Sequence, residues 1–201
     1  MTPADTTTRG RPQSSSREML QEAAFELFLE NGYSGTTVGQ IANRAGVSRN
    51  TFFNYFAGKS DVFWIDLDST LEHLRGALHS APGDLPAIEA VRDALLTIAE
   101  DLGPERVPWA LTQFPMIGDT QELQAAAMSR LSSHVRLLTD FLTPSFPDPR
   151  SPLLARTAAY ATIGACVAAA QAWASAGTTR GALRPYLESA LAPVIEGFRS
   201  L

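Results

Sequence analysis

The chain has 201 residues, of which 45% are hydrophobic and 18% charged, and its net charge is −5 at pH 7. This composition is typical of a folded protein and excludes a wholly disordered chain. The single cysteine, Cys166, excludes an internal disulfide and favours a reducing cytoplasm. The polar N-terminus predicts no signal peptide. The apolar stretch at 157–176 is interrupted by polar residues and predicts a buried helix rather than a membrane span.

Charge is distributed unevenly along the chain. Residues 1–60 carry a net charge of +1, and residues 61–201 carry −6. Four acidic residues recur at every fourth position of the first predicted helix, at Glu18, Glu22, Glu26 and Glu30. Because residues four apart share a helix face, the basic groups of residues 1–60 can collect on a different face. The negative total therefore does not exclude a basic N-terminal surface.

Residues 1–14 are predicted to form a flexible arm. They contain a short basic element, Arg9-Gly10-Arg11-Pro12. Such an arm either touches a groove of nucleic acid or is a solvated terminus, and the sequence leaves both interpretations open.

The first predicted helix begins with a capping box of Ser15 and Glu18 and ends at Asn31-Gly32. Apolar residues at helical spacing form its buried stripe: Leu20, Ala23, Ala24, Leu27 and Phe28.

Two short helices joined by a tight turn follow. Thr37 and Gln40 form a capping box for a helix over residues 38–45, and Gly46 provides the turn. Ser48 caps the next helix, whose outward face combines hydrogen-bonding and aromatic side chains. Two short helices in this arrangement predict a helix-turn-helix, whose second helix fits the DNA major groove.

The remainder of the chain also predicts helices. A long fourth helix is expected over residues 60–80, and further helices over about 86–102, 106–113, 119–142, 151–176 and 183–199. Because no segment alternates with the period of a strand, the predicted fold class is all-α.

The block from Gly35 to Lys59 resembles the DNA-binding motif of the TetR family of bacterial regulators. The matching elements are Gly35-Thr36-Thr37-Val38, Ile41-Ala42, Ala45-Gly46-Val47-Ser48, Thr51-Phe52-Phe53 and Tyr55-Phe56, followed by Lys59. The resemblance implies a DNA-binding domain at 15–61 and a helical ligand-binding and dimerisation domain at 62–201. It implies a transcriptional regulator, most simply a repressor that binds a palindromic operator as a dimer and is released by a hydrophobic small molecule.

The DNA-binding residues that we expect are Thr36, Thr37, Ser48, Arg49, Asn50, Phe53, Asn54, Tyr55 and Lys59. By resemblance, Thr37 and Lys59 are phosphate contacts, and Phe53 stands where the family commonly has a tyrosine hydroxyl. Arg49 is the candidate for guanine O6/N7 and Asn50 for adenine N6/N7. A phosphate contact or a solvated position remains the alternative for both. Lys59 is the only lysine beside fifteen arginines.

Two expectations concern residues 62–201. The residues expected to line an effector cavity are Trp64, Leu67, Trp109, Phe114, Met116, His134, Tyr160 and Trp173. Taken alone, each is more simply explained as a core residue. The last two helices are expected to pair two copies, through an alanine face at 158–172 and through Leu183, Leu187, Leu191, Val194 and Phe198. An intramolecular core is the alternative for these residues.

An enzyme is the main competing function class. The sequence has no glycine-rich phosphate loop and no nucleophile paired with a base. His73 and His79 lie six residues apart, off a common helix face, so we expect no metal site and no other cofactor. A second alternative is an architectural DNA-binding protein without an effector, whose C-terminal core would be filled.

Overall fold

The computed structural model of the protein describes residues 16–100, 102, 107–112, 120–146 and 151–199. Every regular element in these ranges is helical, which confirms the all-α prediction. The chain forms two compact units and passes from the first to the second between Phe63 and Trp64. The predicted arm at 1–14 and the predicted cap at Ser15 lie outside the described residues.

From residue 16 onward, the first unit contains four helices: α1 (Ser16–Gly35), α2 (Val38–Arg44), α3 (Arg49–Phe53) and α4 (Lys59–Phe63). Gly32, with φ 72° and ψ 165°, interrupts the helical path of α1 where the sequence predicted the first helix to end. Gly46, with φ 69°, forms the turn between α2 and α3. Side chains disfavour positive φ, so both turns depend on glycine.

Apolar side chains from all four helices form the core of the first unit. The predicted stripe of α1 is buried throughout, from Leu20 to Phe28. Phe52 and Phe56 are also buried, with ring centroids 5.3 Å apart. Each buried phenylalanine contributes about 1.5–3 kcal/mol relative to an exposed one, and the pair fixes which face of α3 points inward.

The predicted fourth helix over 60–80 is wrong in one respect, because it is two helices. Trp64 separates α4 from α5 (Ile65–His79) and has φ −102° and ψ 12°, outside the helical range. Apolar residues continue at helical spacing across the break, and Trp64 itself is apolar. The sequence pattern therefore gave no sign of it.

The second unit adds α6 (Ala87–Glu100), α7 (Gln121–Leu142), α8 (Ser151–Ser175) and α9 (Arg184–Arg199), with one helical turn at 109–112. The hydroxyl of Thr120 accepts the Leu123 N–H (3.3 Å) and caps α7, one residue after the predicted cap at Asp119, which lies outside the described residues. Trp173 is fully buried, and its Nε1 donates to the Gly181 carbonyl (2.8 Å).

Helix α8 has two different faces. By length and composition alone, Pro152–Ser175 could cross a membrane, but Ala155, Ala158 and Trp173 are buried in the core of the second unit. The predicted alanine face is also divided, since Ala158 and Ala169 are buried whereas Ala168 and Ala172 are exposed. One face of α8 therefore serves this chain's own core, and the other faces outward.

The burial of three leucines at and before the start of α9 corrects the predicted dimer face. Leu183, Leu187 and Leu191 are buried in the core of their own unit. The intramolecular alternative is therefore the right one for these three residues. An amphipathic helix shows the same spacing whether its apolar face meets its own chain or another, so periodicity could not separate the two cases.

Candidate nucleic-acid interface

A reciprocal capping box fixes the start of α2. The Thr37 N–H donates to Gln40 Oε1 (2.8 Å), and the Gln40 N–H donates to Thr37 Oγ1 (3.3 Å). The predicted cap is thus present, with Thr37 in extended backbone conformation at φ −112° and ψ 154°. Its side chain is exposed, as a contact with DNA requires.

Helix α3 begins at a second cap. Ser48 Oγ accepts the Thr51 N–H (3.0 Å) and lies 2.9 Å from the Thr51 hydroxyl. The Ser48 hydroxyl is thereby used to start the helix, so its predicted contact with DNA competes with an internal bond. The first turn of α3 is exposed at Arg49 and Asn50.

The outer face of α3 and the residues that follow it presents the predicted reading side chains. Arg49, Asn50 and Asn54 are exposed. Phe53 and Tyr55 are 49% and 47% exposed, although both are large aromatics. Aromatics left in solvent beside polar donors are typical of a binding surface, and the buried neighbours Phe52 and Phe56 explain why these two point outward.

Arg44 is an arginine that does not belong to this face. Its guanidinium binds Glu30 through two hydrogen bonds (2.8 and 3.1 Å) and Glu26 through a third (3.0 Å). These bonds raise the pKa of Arg44 and lower that of Glu30. Arg44 therefore neutralises part of the acidic stripe of α1, leaving Arg49 as the free-standing arginine of the motif.

The predicted contact of Thr36 with DNA is wrong. It is 1% exposed, and its hydroxyl lies within hydrogen-bond distance of the carbonyl oxygens of Leu27 (3.0 Å) and Gly32 (2.9 Å). The side chain serves the end of α1 and is not available to a phosphate. The sequence could not separate Thr36 from Thr37, because both precede α2 and carry the same hydroxyl.

Lys59 lies at the first position of α4, but its ammonium group turns inward. Nζ donates to the carbonyls of Tyr33 (2.8 Å) and Thr36 (3.1 Å) and sits 4.1 Å from the centroid of the Tyr33 ring. The Lys59 ammonium group therefore forms its hydrogen bonds within the first unit.

Comparison with known families agrees with this geometry. Residues 20–63 match the description "Bacterial regulatory proteins, tetR family". Residues 85–199, more than half of the chain, match the "MftR C-terminal domain".

The chain belongs to the TetR family.

Relatives and solved structures extend this result to most of the length. The TetR-family chain is 27% identical to the transcriptional regulator MftR of Mycobacterium tuberculosis, over 82% of each protein. It is 26% identical to the Thermus thermophilus repressor FadR, solved in complex with lauroyl-CoA, with a TM-score of 0.54 over 90% of this chain and 94% of that one. NalD of Pseudomonas aeruginosa, at 24% identity and a TM-score of 0.60 over 90% and 94%, shares the fold.

The predicted cavity residues of this TetR-family protein do not form one group. Tyr160 is 61% exposed and faces outward, which contradicts its assignment to an internal cavity, whereas Trp173 is in the core and Trp64 is 7% exposed. Leu67 and Trp109 are partly buried. Phe114 and Met116 lie outside the described residues.

His134 is the best placed of these candidates. It is 6% exposed, and its Nδ1 lies 2.9 Å from the Arg130 carbonyl and its Nε2 3.0 Å from Thr70 Oγ1. Since a carbonyl only accepts, Nδ1 carries the proton. Burial lowers the pKa of His134, against the opposing effects of the Arg130 carbonyl and the Asp68 carboxylate.

An ion pair that the sequence did not reveal lies beside His134. Arg130 of α7 binds both oxygens of Asp68 on α5, at 2.7 and 3.0 Å. Together with the contact between Thr70 and His134, it ties α5 to α7. Partners this far apart in sequence leave no local signal, and only the packing of two helices could identify them.

Base preference should depend on Arg49 and not on Arg44. Arg49→Ala is expected to cost roughly 1–3 kcal/mol of discrimination at one base position, because a bidentate contact with guanine is lost. Selection of duplexes from a random pool, followed by sequencing, measures this. Arg44→Ala is the matched control and should keep the wild-type preference. An unchanged preference in Arg49→Ala would remove Arg49 from the reading face.

Acidification should destabilise the second unit through His134. Because the folded-state pKa is lowered, the unfolded chain takes up a proton at a higher pH than the folded chain. The free energy of unfolding is then fully retained above the ordinary histidine pKa of about 6.5 and falls as the pH drops below it. Denaturant titrations across this range should show a weaker pH dependence in His134→Gln. His73→Gln, at an exposed histidine, is the control, and equal pH dependence in all three proteins would contradict the prediction.

Proposed function

We propose that this TetR-family protein is a ligand-responsive repressor that binds a palindromic operator in double-stranded DNA as a homodimer and is released by a hydrophobic small molecule. The observation that best supports this proposal is the exposed face of α3 and the residues after it. Arg49, Asn50, Phe53 and Tyr55 are exposed there, whereas the neighbouring Phe52 and Phe56 are buried. A major groove is wide enough to admit such a helix. Such a regulator acts in the cytoplasm, where its DNA is.

We assign DNA binding to residues 15–61 and ligand binding with dimerisation to residues 62–201. The division of the described structure between Phe63 and Trp64 lies two residues beyond this boundary. Repression is proposed because NalD and the Thermus thermophilus FadR are both described as repressors.

Dimerisation is proposed through the outward face of α8, in place of the α9 leucines. Leu153 and Tyr160 are 66% and 61% exposed, and Gly164, Ala168 and Gln171 continue the same exposed face at helical spacing. Large apolar side chains in solvent beside small ones allow a second helix to approach closely. A two-fold pair would place its α3 helices about 34 Å apart, matching successive major grooves of a palindrome.

The proposed effector carries an acyl chain. The core of the second unit is built from aliphatic side chains with Phe146 and Trp173, and His134 and Thr162 are its buried polar residues in the described part of the chain. A cavity opened among these side chains by a bound ligand would be lined by apolar groups, which suits a hydrophobic effector. The lauroyl-CoA bound to the Thermus thermophilus FadR supplies the chemical class.

The dimer face is tested by a charge on α8. Tyr160→Glu should weaken dimerisation at least about tenfold, because a central aromatic anchor is replaced by a charge that pairing would bury. Sedimentation equilibrium measures the dimer dissociation constant. Met128→Glu removes an equally exposed apolar residue from α7 and should leave that constant unchanged. A dimer equally stable in both variants would move the interface away from α8.

Release by the effector is tested with lauroyl-CoA on a duplex selected from a random pool by the protein itself. Fluorescence anisotropy should show the affinity for this duplex falling roughly 5- to 150-fold when the ligand saturates the protein. Coenzyme A without the acyl chain is the control and should have no effect. Equal effects of both would contradict a hydrophobic effector, and unchanged binding with bound lauroyl-CoA would exclude the acyl-CoA assignment.

A further inference from the structure

The position of the Lys59 ammonium group differs from that of a side chain waiting for a phosphate. From the first turn of α4 it reaches back to the segment between α1 and α2. Two of its three N–H groups are donated to the carbonyls of Tyr33 and Thr36, and the Tyr33 ring lies against it. Extending to DNA would break two charge-assisted hydrogen bonds and a cation–π contact, each of which stabilises the inward position.

The Thr36 carbonyl belongs to the same peptide group as the Thr37 N–H. That N–H donates to Gln40 Oε1 at 2.8 Å, and Gln40 returns its own N–H to Thr37 Oγ1 at 3.3 Å. The peptide is planar, so a bond on each edge fixes its orientation. A cation at the carbonyl also polarises the N–H and strengthens it as a donor.

The base from which Lys59 extends is itself held. Asp61 Oδ2 accepts the N–H groups of Ala57 (3.0 Å) and Gly58 (3.1 Å), which fixes the turn that leads into α4. The ammonium is therefore delivered by a fixed backbone and not by a free loop.

We infer that Lys59 is a positioning residue for DNA binding, which holds Thr37 and its capping box in place from α4. This inference rests on the proposed DNA-binding role of Thr37. It also gives a reason for the only lysine in a chain with fifteen arginines. A compact ammonium with three diverging donors suits two carbonyls and a ring, whereas arginine presents a wider planar fork.

A double-mutant cycle on duplex affinity tests the inference in the full-length protein. Lys59→Met and Gln40→Ala should each weaken binding to the selected duplex roughly tenfold, and the double variant should bind about as weakly as the weaker single variant, since both changes disturb one peptide group. Lys59→Met combined with Asn50→Ala is the control, and there the two losses should multiply. Multiplying losses in the Gln40 cycle would overturn the inference.

Salt dependence supplies the second readout. Removing a phosphate contact lowers the slope of log affinity against log salt by about 0.9, whereas a positioning residue leaves the wild-type slope. Lys59→Met should keep that slope, and Lys59→Arg, which would replace a phosphate contact fully, should still bind several-fold more weakly than wild type. A reduced slope in Lys59→Met, or wild-type affinity in Lys59→Arg, would overturn the inference.

The same measurements distinguish a role of Lys59 in stability alone, and a failure of the proposed function, from the role inferred above. If Lys59→Met does not fold, as judged by its thermal melting curve, the Gln40 cycle is carried out with Lys59→Arg. A variant that melts earlier but binds with wild-type affinity well below its melting temperature would show a role in stability alone and overturn the inference. Absence of binding by the wild-type protein to any selected duplex would instead contradict the proposed function.

Discussion

The packing of Phe52 and Phe56 in the core is the interaction on which the proposed DNA-binding surface depends. Both side chains come from α3 or the turn after it and are buried, and α3 packs against α1 and α2. A helix of five residues has too few internal hydrogen bonds to be stable alone. Packing of these two rings therefore holds α3 in place, and their orientation leaves Arg49, Asn50 and Phe53 on the outside.

Polar contacts orient the connecting turns, which the aromatic core alone does not fix. Apolar packing is non-directional and leaves the backbone of the connecting turns underdetermined. Thr36 and Lys59 supply direction, because each donates to carbonyls near the end of α1. The capping box of Thr37 and Gln40 then begins α2 from that fixed point. Adjacent residues in one short segment thus have opposite roles, with Thr36 turned into the core and Thr37 turned outward.

The second unit shows how one helix can serve two purposes. Alanines occur around much of α8, so its surface offers close approach in several directions. Trp173 and the buried alanines use one direction for the unit's own core, while Leu153 and Tyr160 stand exposed on another. The polar tie between α5 and α7, formed by Asp68 with Arg130 and by Thr70 with His134, lies among otherwise apolar contacts.

The sequence by itself determined the helical fold class, the caps at Thr37 and Ser48, the turn at Gly46 and the family, because local spacing and hydrogen-bonding residue types specify them within a few residues. Only the tertiary structure decided what each side chain faces. It buried Thr36 and His134, exposed Tyr160, turned Lys59 inward and placed the α9 leucines in their own core. Lys59 and His134 meet partners 23 and 64 residues away in the chain. Helical periodicity carries no information about which distant surface an amphipathic face will meet.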